Sequence, residues 1–290
     1  MTSFSTLFRQ LFKQKNKTTY LVILIQLAAT LISIIVSAVG NAINDPKHAN
    51  VFQISSGFST VKINPIAGWI ISFLGIFTAF CLLANFAYLI MTSIKNEKIN
   101  RSQTWRLVPM SDGKIYLVNT LSSFCSFVYL IILQNLINII GLLIAYGISP
   151  KLRTLIAKAI NLQQVVGEVN EIDFSSLLAI LCLMIIVGLI WYIVISFLHF
   201  TTRAATDFLP SMSNKFVLFI TRFVILIITV LILNQAFTWF SDIFFNHSLF
   251  NDSFTTSIWY TNLALTIFSL ILVVINYYLI GHFVEAKQNN

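Results

Sequence analysis

Charge is scarce in this sequence, and its scarcity excludes more than any motif present. Charged residues make up 10% of the 290 and hydrophobic residues 57%. An ordinary soluble domain is roughly a quarter charged. No soluble core of this length needs so much apolar side chain, so a soluble fold is excluded. Cysteine is also rare. Cys81, Cys125 and Cys182 all fall inside apolar runs. They have no metal-ligand spacing and no paired position in a loop, so they read as small buried apolar residues.

Catalytic signatures are missing as well. There is no Gly-x-x-x-x-Gly-Lys-Ser/Thr loop to cradle a nucleotide; Gly113-Lys114 lacks both the earlier glycine and the following hydroxyl. There is no His-Glu-x-x-His, and His48, His199, His247 and His282 are scattered over loops and run ends, which argues against a metal site. No Gly-x-Ser-x-Gly elbow occurs. No acidic residue lies well inside an apolar run, which disfavours transport coupled to a proton or sodium ion. The chain is therefore not expected to be an enzyme or to hold a cofactor or metal. Its driving force is expected to come from outside.

What is present is long apolar runs. A bilayer core about 30 Å thick needs roughly 20 apolar residues in a helix. Six runs qualify: 18–40, 66–94, 115–147, 175–200, 216–238 and 257–282. Lipid leaves unpaired backbone groups unsatisfied, so these runs must be helices. The expected fold is an all-α integral membrane protein with six transmembrane helices over 18–290. Residues 1–17 precede it. There Phe4, Leu7, Phe8, Leu11 and Phe12 recur at helical spacing beside Arg9, Lys13, Lys15 and Lys17, the pattern of an interfacial helix.

The basic residues set the topology. Segments 1–17, 95–114, 201–215 and 283–290 carry most of the Lys and Arg, while the alternate segments carry only Lys47, Lys62, Lys151, Arg153 and Lys158. The positive-inside rule then puts both termini in the cytoplasm. Topology and anionic lipid account for the net charge of +8, so nucleic acid is not an expected partner. The first outer loop, 41–65, contains Asn44-Asp45-Pro46 and Ser55-Ser56-Gly57 and reads as turn-rich, without regular structure. In 150–166, Leu152, Leu155, Ile156, Ala159 and Ile160 fall at helical spacing, so a surface helix or a continuation of the third span is expected there. The third outer loop, 239–256, holds six aromatic residues and no Lys or Arg. It is expected to dip into the interface or cover the bundle mouth.

Polar residues inside the runs are the candidate path for a transported substrate. Gln134 and Asn138 lie four apart in the third run, and Asn234 and Asn262 lie in the fifth and sixth. The competing reading is hydrogen bonding between helices.

The segment 95–114 is the densest charged island, with five basic residues. Asn100 or Ser102 can cap a short helix through Leu107. Pro109 then ends it, and Ser111 or Asp112 can cap the next span. Trp105 suits an interface or a partner's groove.

This arrangement resembles the membrane subunit of ATP-binding-cassette (ABC) exporters of the second type. The resemblance rests on six spans, an N-terminal interfacial helix, and the connector between the second and third spans. In that connector Asn96-Glu97-Lys98 is followed by Ser102-Gln103-Thr104-Trp105-Arg106-Leu107 and then Pro109-Met110-Ser111. Gln103-Thr104 stands where the family often has Gly-Thr, and the aromatic third outer loop resembles its re-entrant segment. The resemblance implies a coupling helix that docks on a separate ATPase, with Glu97, Arg101, Gln103, Thr104, Trp105, Arg106 and Asp112 as contact residues. It also implies ATP and Mg in that partner, a second permease copy or a related permease, and a bacterial cell membrane. The alternative is a non-transporting membrane protein, such as an immunity or assembly factor.

Overall fold

In the computed structural model the described residues are 4–44, 52–56, 59–102, 105, 107–154, 157, 174–207, 215–245 and 254–283. Six helices dominate: α1 (Phe4–Asn44), α2 (Pro65–Asn100), α3 (Asp112–Ile148), α4 (Phe174–Asp207), α5 (Lys215–Phe245) and α6 (Phe254–His282). Each contains a stretch long and apolar enough to cross a membrane. Their outward surfaces are apolar: Leu82 is 79% exposed and Val274 68%. Such a surface suits lipid, because only hydrocarbon surroundings leave it without cost. The chain is a multi-pass membrane protein.

The helices outrun their apolar cores. α1 has 41 residues, about 61 Å at 1.5 Å per residue, and it passes through Lys17 without a break. Residues 4–17 are helical as expected, and the change at Lys17 is one of composition rather than of backbone. α2 continues past Ile94 to Asn100, and α4 continues past Phe200 to Asp207. Polar residues outside the hydrocarbon can still propagate a helix once it is nucleated. α2 carries Lys98 in its last turn and α3 carries Asp112 in its first, each of the sign that suits its helix end.

The first outer loop holds a correction. Strands β1 (Phe52–Ser56) and β2 (Ser59–Ile63) form an antiparallel hairpin. The register sets Phe52 opposite Ile63 and Ile54 opposite Val61, with Gln53 opposite Lys62 and Ser55 opposite Thr60. Apolar residues thus oppose apolar, and polar oppose polar, at a period of two. Ser-Ser-Gly was a turn between strands rather than a sign of irregular chain. At 150–154 the chain is helical; most of the expected surface helix 150–166 lies outside the described residues. In the third outer loop, 239–245 prolong α5 and Phe254 opens α6; residues 246–253 lie outside the described set.

The described chain divides into two compact units, with boundaries inside α1, α2 and α3. In the first, comprising 1–13, 89–125 and 172–290, α4 packs on α5 and α6. Ile193, Phe268 and Leu272 form one buried cluster, and Phe240 leans on it. Tyr116, Phe200 and Ile280 form another. Asn276 Nδ2 donates to Tyr116 Oη at 2.9 Å and to the Ile193 carbonyl at 2.9 Å. In the second unit, 14–88 and 126–171, Val22, Ile23, Tyr88 and Leu130 are buried together. Tyr88 Oη donates to Ser126 Oγ at 2.7 Å, and Ser126 Oγ donates to Asn16 Oδ1 at 2.9 Å. Ile63 of the hairpin packs with Ala67, Ala145 and Leu152.

Candidate functional site

The connector from α2 to α3 is built on a polar seam. Asn96 and Asn100 lie one turn apart on α2, and Asn119 and Ser123 lie one turn apart on α3. Asn119, fully buried, donates through Nδ2 to the Asn96 carbonyl at 3.0 Å and to Asn100 Oδ1 at 2.9 Å. Ser123 Oγ donates to Asn96 Oδ1 at 2.6 Å. Away from water, such bonds hold because the alternative is an unsatisfied polar group.

The side-chain oxygen of Asn100 accepts from Asn119, and the residues that Asn100 or Ser102 would cap lie largely outside the described set. Asn100 is the last residue of α2. The chain then turns: Arg101 N–H bonds to the Glu97 carbonyl at 3.1 Å, and Ser102 N–H bonds to the Ile99 carbonyl at 3.1 Å. Trp105 is helical, and Val108 N–H reaches its carbonyl at 3.3 Å. Gln103, Thr104 and Arg106 lie outside the described residues. α3 starts as expected. The Ser111 carbonyl accepts from Lys114 and Ile115 N–H at 2.9 and 3.1 Å, and Asp112 is its first residue.

Two charged residues of the connector, Glu97 and Arg101, are engaged with each other. Arg101 Nη1 donates to Glu97 Oε1 at 3.0 Å, an i,i+4 pair across the end of α2. His199 on α4 places Nε2 3.1 Å from the same oxygen, but off the line of a hydrogen bond. Glu97 and Arg101 are both partly exposed, so this pair is worth little stability, about 0.3–0.5 kcal/mol. Trp105 packs with Phe8 and Met110 on a buried cluster of Leu7, Leu11, Ile99, Ile115 and Val118. The apolar face of the N-terminal helix therefore rests on the connector. At the tip, Leu107 is 83% exposed and Pro109 is exposed beside it.

The four candidate path residues do not share one unit. Gln134 is buried and donates through Nε2 to Gln26 Oε1 at 2.9 Å. Gln26 in turn donates to the Phe77 carbonyl at 3.1 Å. Asn138 Oδ1 accepts from Thr78 Oγ1 at 3.5 Å, on an exposed face. These lie in the second unit. Asn262, in the first, is buried and donates to the Ala179 carbonyl at 2.8 Å. Asn234, also in the first, is exposed on α5. Gln134 and Asn262 thus tie helices together, the reading that competed with a path.

Sequence reasoning passed over Asn119 and Ser123 and gave Asn96 and His199 no role in joining helices. Asn119 and Ser123 carried a signal: two polar residues four apart just inside an apolar run, like Gln134 and Asn138. His199 carried none, because its neighbour Glu97 is distant in the chain. Among the described residues no group of three or more His, Cys, Asp or Glu side chains could hold a metal. Compared with known proteins, the chain matches no family model, no curated sequence and no solved structure.

Proposed function

We propose that the chain is the membrane-spanning subunit of an ATP-driven exporter of the ABC type. A separate ATPase docks on the connector between α2 and α3, and ATP and Mg stay in that partner. The observation that carries this reading is the Asn96–Asn100–Asn119–Ser123 seam behind an exposed tip. A partner pushing on Leu107 and Pro109 meets two helices fastened at their ends, so its displacement passes into the bundle rather than being lost in a loose loop. The connector supplies the differential contacts that a driven switch requires. The basic bias of 1–17, 95–114, 201–215 and 283–290 supports cytoplasmic termini; the membrane proposed is the bacterial cell membrane. Six spans supply half a pathway, so a second permease copy or a related permease completes it.

The test is affinity purification of the full chain in mild detergent with ATP, ADP or no nucleotide. The expected result is co-purification of a P-loop ATPase, lost in Leu107→Asp while membrane insertion is normal. Absence of any ATPase under all three conditions sinks the proposal and favours the non-transporting alternative, an immunity or assembly factor.

A further inference from the structure

Within the first unit a cavity of about 190 Å³ opens where α2 and α4 pack, next to the connector. Most of its wall is apolar, with Ile90, Ile94, Ile195, Phe200 and the Trp191 indole. Trp191 Nε1 donates to Ser93 Oγ at 3.3 Å, which fixes the place of the ring. Among the described residues that line the cavity, Glu97 alone carries a fixed charge. Arg101 Nη1 takes Glu97 Oε1 at 3.0 Å, but Arg101 does not line the cavity. His199 Nε2 stands 3.1 Å from the same oxygen. Among the described residues, every hydrogen bond and ion pair of Glu97 thus falls on Oε1. A carboxylate accepts through both oxygens, so Oε2 is left for a donor from outside the chain. Beside an apolar wall a cation gains more from that oxygen than it would in water.

We propose that this cavity binds a small organic ammonium ion, with the cationic head at Glu97 and one ring-sized apolar group against the isoleucines and Trp191. The carboxylate sets the sign of the ligand. The indole in the same wall adds to it, because the face of a Trp ring attracts cations. The volume sets the size. Benzene fills an engineered apolar cavity of about 150 Å³, so 190 Å³ admits one ring and a compact head. A zwitterionic lipid would bring its phosphate up to the carboxylate, so a free ammonium suits the site better than a lipid head group. This inference does not depend on the exporter reading.

The experiment is equilibrium binding of radiolabelled phenyltrimethylammonium to the full chain in non-ionic detergent. The competitors are tert-butylbenzene (its uncharged isostere), benzenesulfonate and lysophosphatidylcholine. The expected result is one saturable equivalent that neither tert-butylbenzene nor benzenesulfonate displaces. Glu97→Gln should weaken binding about tenfold. Arg101→Gln should tighten it about threefold, because the carboxylate loses a competing cation. A merely structural role for the Glu97–Arg101 pair would move both variants the same way. Ile94 is exposed, so Ile94→Trp keeps the fold while its ring fills the cavity, and it should abolish binding; this arm decides the matter if Glu97→Gln does not insert. Lysophosphatidylcholine displacing the probe with the same Glu97 dependence would keep the site and assign it to a lipid head group. The proposal is overturned if no saturable binding occurs, if tert-butylbenzene competes as well as unlabelled probe, or if Glu97→Gln and Arg101→Gln weaken binding alike. It is overturned equally if Asp242→Asn, at an exposed carboxylate on α5, weakens binding as much as Glu97→Gln.

Discussion

Asn119→Ala tests the seam directly. The side chain is fully buried and makes two bonds through one nitrogen, at 3.0 and 2.9 Å. A hydrogen bond between membrane helices contributes about 0.6–2 kcal/mol. Losing two costs about 1–4 kcal/mol, and the Asn100 oxygen left behind adds about 1 kcal/mol. Alanine returns about 0.5 kcal/mol as a better helix former. The net loss is about 3 kcal/mol. Reversible unfolding in mixed detergent–dodecyl sulfate micelles, followed by tryptophan fluorescence, reads this difference. The sharper measure is the double-mutant cycle with Asn100→Ala. Because the two amides touch, their coupling should be about 1 kcal/mol. A single-variant loss under about 0.5 kcal/mol, or a coupling indistinguishable from zero, refutes the claim that the seam fastens α2 to α3.

Two further outcomes follow from packing. A Cβ on Gly113 would land on the Tyr277 ring, so Gly113→Val should cost about 1–3 kcal/mol, and Tyr277→Ala should recover part of that loss; equal losses with and without Tyr277→Ala would contradict the contact. Trp105→Ala should speed hydrogen exchange at residues 7–12 while insertion is unaffected, because Trp105 packs on the Leu7–Leu11 cluster; unchanged protection there would show that the N-terminal helix is held by other means.

The parts of the fold legible in the sequence were those written in hydropathy. The six spans needed only the lengths of the apolar runs, since lipid leaves a spanning segment no alternative to helix. Helix ends were less legible. Lys95–Asn100 is polar enough to end an apolar run, yet nothing in it stops a helix, and α2 continues through it. The hairpin was written in the alternation of Phe52-Gln53-Ile54 and Val61-Lys62-Ile63, but the strands are short and flank a turn signal that dominates the segment. At the candidate site, Pro109 and Ser111–Asp112 were readable because turns and caps are local. The Asn96–Asn119 and Glu97–His199 pairings were not, because each depends on packing between residues far apart in the chain.

The charges at the ends of α2 and α3 have an electrostatic consequence for whatever meets the connector. The C-terminal end of α2 and the N-terminal end of α3 lie side by side, held by the amide seam. A helix end carries roughly half an elementary charge, negative at the C-terminus and positive at the N-terminus. Side by side these partial charges cancel, and Lys98 and Asp112 offset each its own end. The connector therefore presents no helix-end field to solution. Its long-range attraction comes from side-chain charge and weakens with salt. The exposed Leu107 and Pro109 carry no charge, so a contact made through them is not subject to that screening.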